Sequence, residues 1–130
     1  MDATTPALPI TADRDSVCAS DDCESHERAF HAPLQASIET LIQLAADACP
    51  LASISGGEAT WIVQAGGYGG RPIAVLAQQW PQPRLLTRGT VQGLFAAVEP
   101  RLHFRYWCQA SPDAVFDALA AGTELPPRHG

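Results

Sequence analysis

Thr60-Trp61-Ile62-Val63-Gln64-Ala65-Gly66-Gly67-Tyr68-Gly69-Gly70-Arg71-Pro72-Ile73-Ala74-Val75-Leu76-Ala77 is the stretch that decides the fold. Its first six residues alternate with a period of two, Trp61, Val63 and Ala65 on one face and Ile62 and Gln64 on the other. That is the periodicity of a strand, not of a helix. A glycine-rich turn follows, and then a second apolar run, Ile73 to Ala77. Two β-like runs around such a turn predict a hairpin. The same glycines are a poor phosphate cradle. A phosphate loop opens a helix, and this one leads into Arg71-Pro72 and another strand.

Downstream, Trp80-Pro81-Gln82-Pro83 is irregular, because two prolines remove donors and restrict the residues before them. Residues 90–98 admit two readings. Val91, Leu94, Phe95 and Val98 fit a helical stripe, but Gly93 in its middle costs about 1 kcal/mol against alanine. Thr90 to Phe95 also reads as a strand. Arg101 to Gln109 then alternates clearly. Leu102, Phe104, Tyr106 and Cys108 fall on one face, and Arg101, His103, Arg105, Trp107 and Gln109 on the other, the pattern of a half-buried strand. Ser111 offers an N-cap, Pro112 suits the first helical position, Asp113 complements the helix dipole, and Gly122 stops the helix.

Upstream, Leu34, Ile38, Leu41, Ile42 and Ala45 recur at helical spacing between Pro33, placed in the first turn, and Pro50. Residues 1–31 hold seven acids and two arginines, a net of −5, and few large apolar side chains. They read as a disordered acidic tail that cannot offset its ordering entropy. Residues 125–130 read as a frayed C-terminal tail. The expected organisation is therefore a tail over 1–31, an α+β domain over 32–124 and a short tail over 125–130. In that domain two or three helices pack on an antiparallel sheet of three to five strands.

Composition narrows the function. At ~100–200 residues per domain, 130 residues allow one. No apolar stretch approaches the roughly 18 residues of a membrane span, and the start has neither a basic nor an apolar signal region. The expected location is the cytoplasm, where Cys18, Cys23, Cys49 and Cys108 are free thiols. There is no lysine; all eight cations are arginine. Schiff-base chemistry and a P-loop lysine are thereby excluded. The net charge of −6 argues against nucleic acid as a partner. Residues 60–110 nonetheless carry five arginines and one acid, Glu99, a local net of +4.

Three sets of residues carry chemistry. Arg101, His103, Arg105 and Trp107 share one strand face and fit an acidic or aromatic protein partner, since Trp and Arg are enriched at binding hot spots. The competing reading is an ordinary solvated sheet face with arginine stems over Trp107. Cys18, Cys23, His26 and His31 are zinc-type ligands at a spacing that matches no recurring zinc motif. They define an alternative, a zinc-binding regulator. His103 with Cys49 or Cys108 defines another, a small enzyme, but no local signature of an activated nucleophile supports it. Neither a catalytic residue nor a cofactor is expected.

The order of these features resembles a known family. A helix over Leu34 to Cys49 precedes Trp61-Ile62-Val63. Then come Leu85-Leu86, Thr90-Val91 and Leu94, then Arg101-Leu102-His103-Phe104-Arg105-Tyr106-Trp107-Cys108 and a small helix. This is similar to the C-terminal domain of the type III secretion substrate-specificity switch proteins, which include the flagellar hook-length control proteins. The resemblance covers roughly residues 33–122. It implies a cytoplasmic regulator of export, itself a candidate for export, that binds a component of the export gate without chemistry. It places Leu102 to Arg105 and Thr90-Val91 in the domain core and favours a strand over 90–95. The long proline- and glutamine-rich ruler segment of the family is absent, which argues against a measuring role and leaves a regulatory or accessory one.

Overall fold

The computed structural model describes residues 6–16, 25–51 and 57–128. The glycine-rich hairpin forms as its alternation predicts. Strands β3 (Thr60–Ala65) and β4 (Arg71–Ala77) pair antiparallel, with a register shift between Val63 and Gln64. Gly70 is required at the turn, because a Cβ there would lie 2.2 Å from the Ala65 carbonyl oxygen. Gly66, Gly67 and Gly69 adopt positive φ, a conformation that costs glycine least. Strand β6 (Arg101–Tyr106) lies antiparallel against the other side of β3. The two-residue β5 (Arg84–Leu85) closes the far edge against β4.

The acidic N-terminal region is not a tail where the structure describes it. Strands β1 (Ala7–Arg14) and β2 (Arg28–Pro33) pair antiparallel, and β1 inserts parallel to β6. The result is one six-stranded sheet in the order β2-β1-β6-β3-β4-β5. Two expectations are corrected here: the sheet is mixed, not purely antiparallel, and it has six strands. The cause is burial. Ile10 and Ala12 alternate onto the core face, and Ala32 joins them from β2. Three small or branched side chains suffice once a preformed sheet supplies the rest of the core.

Helix α1 (Ile38–Ala48) begins later than the position of Pro33 suggested, since Pro33 ends β2. Ser37 caps it, accepting from the Thr40 amide at 3.1 Å. The preceding residues are taken by another element. The Val91 and Gln92 amides donate to the carbonyls of Ala36 and Leu34, which holds that segment extended. Residues 91–95 are helical, α2 (Val91–Phe95), and not the strand that the resemblance favoured. Thr90 caps this turn by accepting from the Gly93 amide at 3.1 Å, so Gly93 sits where its lack of a side chain is harmless. Of the Thr90-Val91 pair that the resemblance places in the core, Val91 is fully buried and Thr90 half-buried.

Helix α3 (Pro112–Ala121) forms as read, with Ser111 at the N-cap, Pro112 in the first turn and Gly122 in the left-handed conformation at the C-cap. The residues after it are not frayed up to Arg128. The Trp107 indole donates to the Pro126 carbonyl at 2.8 Å, and Arg128 donates to the Tyr106 carbonyl at 2.7 Å.

The sheet thus has two unlike faces. On one, α1 and α2 bury Ile38, Leu41, Ile42 and Val91 against Trp61, Val63, Leu102 and Phe104. On the other, α3 covers only the β3–β4 side, with Val115 against Ile62, Val75 and Trp107. Apolar burial at about 25 cal/mol per Å² makes the first face the main source of stability. Among the described residues no helix is long and apolar enough to cross a membrane.

Candidate functional site: the uncovered half of the sheet

Beyond the reach of α3, the second face continues over β6 and β1. Strand parity puts Arg101, His103, Arg105 and Trp107 on this side, because Leu102 and Phe104 point into the opposite core. The four residues expected to share a face do so, but their surroundings differ. Arg101 is exposed and Arg105 half-buried, whereas His103 and Trp107 are 7% and 9% exposed. Trp107 belongs to the small core under α3. Trp107 is covered by arginine side chains, Arg105 and Arg128, and His103 is buried as well.

Four further residues complete the surface. Asp15 reaches over from the end of β1. One carboxylate oxygen meets His103 Nε2 at 2.7 Å, and the other accepts the Tyr106 amide at 2.9 Å. Burial pushes the Asp15 carboxyl up. The bonds from His103 and Tyr106, with the positive charge of His103 and Arg128, outweigh that and hold it below its ordinary value. Tyr68 projects from the hairpin turn and meets the His103 ring edge-on, centroids 5.1 Å apart. It is a large apolar side chain left 67% exposed. Buried Gln64 fixes this turn by accepting the Gly69 amide at 3.1 Å. Arg105 lies 5.3 Å from the Tyr68 ring and 5.0 Å from Trp107, and Arg128 lies 5.3 Å from Trp107 on its own account. Tyr68, Arg105, Trp107 and Arg128 therefore form a ladder of alternating rings and guanidinium groups.

Beside the ladder, Thr11, Asp13, Tyr68, Arg101 and His103 line a shallow cavity of about 260 Å³. Arg101 is tethered there by an ion pair with Glu27. All three carboxylates that frame this region, Asp13, Asp15 and Glu27, come from residues read as tail. Their signal was present in Leu8-Pro9-Ile10-Thr11-Ala12, which alternates like a strand, but it is short and interrupted by proline.

The other candidate sets are not brought together. Cys18 and Cys23 lie outside the described residues. His31 sits on β2 opposite Pro9, and His26 lies within 3.3 Å of the Ser16 hydroxyl. Among the described residues no group of three metal-ligating side chains occurs. Cys49 caps the C-terminal end of α1 and donates its thiol to the His26 carbonyl at 3.2 Å. Burial raises the Cys49 thiol above its ordinary value, the opposite of what a nucleophile needs. Cys108 lies past the end of β6, in a turn at φ 58°, and not on the strand face first assigned to it.

A scan of protein-family models finds no match to this chain, and searches of curated proteins and of solved structures return no significant match.

Proposed function

We propose that the chain is a non-catalytic protein-binding domain that uses the uncovered half of the sheet to hold an acidic segment of its partner. The observation that carries this reading is the Tyr68–Arg105–Trp107–Arg128 ladder beside exposed Arg101. An exposed aromatic ring and three guanidinium groups are gathered where no helix covers the sheet. Aromatic and arginine side chains held in place before binding lose little entropy on contact and provide most of the energy in typical interfaces. Asp15 bonds to His103 and to the Tyr106 amide and so braces β6, while Arg105 packs on the rings of Tyr68 and Trp107 and Arg101 is held by Glu27.

The resemblance to the type III secretion switch domains supplies the partner class, the cytoplasmic part of an export-gate component. It also supplies the role, a regulator acting by binding on the cytoplasmic side. Affinity capture of the tagged chain from its native host, with mass spectrometry of the bound proteins, tests both. Secretion-apparatus components retained by the wild-type chain and lost with Tyr68→Ala plus Arg105→Glu are the expected result. Equal retention by the double variant would exclude this face. Trp107 is a poor choice for the test, since its burial under α3 makes loss of binding indistinguishable from unfolding.

A further inference from the structure

We propose that the chain self-associates through the outer edge of β2, joining two sheets into one across a two-fold axis. The proposal is independent of the binding face described above. It starts from strand parity. The Thr11 and Asp15 amides donate to the Pro100 and Phe104 carbonyls, so the odd residues of β1 turn their backbone groups toward β6. The even residues of β1 then face β2. The Leu34 amide bonds to the Pro6 carbonyl, and the β1–β2 register pairs Leu8 with Ala32, Ile10 with Phe30 and Ala12 with Arg28. Ladder bonds in an antiparallel pair recur at every second residue, so Arg28, Phe30 and Ala32 face β1. Ala29, His31 and Pro33 face outward.

Two successive outward positions, Ala29 and His31, therefore present both N–H and C=O at the edge, and Pro33 ends the run. Among the described residues nothing pairs with this edge. Edge strands are commonly protected by charge or proline at their centre. Here both devices sit at the ends. Pro33 is the last residue, and Arg28 curls away, its Nη1 donating to the carbonyls of Ser25 and Glu27. Ala29 to Ala32 carry neither an acid nor an arginine.

A second copy fits this edge in the register centred on Phe30. Ala29 of one copy then exchanges both backbone bonds with the partner's His31, and His31 does so with the partner's Ala29. Arg28 falls opposite the partner's Ala32, so no like charges oppose each other. The two half-buried Phe30 rings meet across the axis as a non-hydrogen-bonded pair, where side chains approach most closely. The alternative register centred on His31 sets histidine against histidine and leaves the N–H-less Pro33 opposite Ala29. The self-complementary pattern is what selects a second copy over an unrelated strand.

Sedimentation equilibrium of the full chain up to about 500 µM tests this, a range that detects dissociation constants in the micromolar region. A dimer is expected. Ala29→Pro and His31→Pro each delete an outward N–H that β1 does not use, so each should weaken the dimer at least tenfold, and at concentrations where the wild type is monomeric each should keep its melting temperature. Hydrogen exchange read by NMR needs no substitution. The Ala29 and His31 amides should exchange more slowly at high protein concentration than at low. A monomer throughout the range, a dimer equally tight in both proline variants, or exchange at these two amides independent of concentration would each overturn the proposal.

Discussion

The two faces of the sheet are built from the same strands and differ in what covers them. The α1 face is predominantly apolar, with Phe104, Leu102, Val63 and Ile10 in one buried cluster with the helix residues Ile38, Leu41 and Ile42. The α3 face is apolar around Ile62, Val75 and Trp107, and over β6 and β1 it gives way to His103, Arg105 and Asp15. Adjacent residues of β6 thus sit in opposite settings, Phe104 fully buried in the main core and Arg105 half-buried beside the Trp107 ring. A single strand can hold both because its side chains alternate.

Substitutions should separate the two faces, and Phe104→Ala should have the largest effect. It removes a fully buried ring and should cost about 3–5 kcal/mol in chemical denaturation, a large part of the stability of a small domain. Trp107→Ala, on the other face, should cost about 3 kcal/mol, at the lower end for such truncations because the ring is open on its arginine side. A Trp107 loss as large as that of Phe104 would erase the distinction between the faces.

Gly70→Ala tests the turn that positions Tyr68. The new methyl would press on the Ala65 carbonyl, and a loss of about 2 kcal/mol in thermal or urea unfolding is expected. The Asp15 brace is tested by pH. Because its folded pKa is depressed, its contribution is present above the ordinary value of 3.8 and is lost as pH falls through the lower folded value. Asp15→Asn should cost about 1 kcal/mol at neutral pH and should flatten the acid limb of the stability curve. An unchanged acid limb would remove Asp15 from the account of this face. Tyr68→Ala should be the mildest, within about 0.5 kcal/mol of wild type in stability, while weakening partner capture.

The same contrast explains what could be read ahead of the structure. The β3–β4 hairpin, the alternation of β6 and the caps of α3 rest on contacts between near neighbours, and each was legible. The start of α1 was misplaced because Leu34 to Ala36 are occupied by the amides of Val91 and Gln92, far along the chain. The strand preference for 90–95 failed for a local reason, the Thr90 cap on Gly93. Of the uncovered sheet face, the shared side of Arg101, His103, Arg105 and Trp107 was legible from strand parity. Asp15, Tyr68 and Arg128 were not, because each acts through a partner outside its own segment.

By itself the sequence determined the elements whose signals are local: a glycine turn between alternating runs, a capped terminal helix, and a strand with one apolar and one cationic side. Only the tertiary structure decided that an acidic leader becomes two strands, and that one of them lies parallel against β6 to bring Asp15 to His103. The reason is energetic. Leu8, Ile10 and Ala12 bury too little surface to order a segment alone, and their strand becomes stable only against a core assembled from residues some ninety positions away.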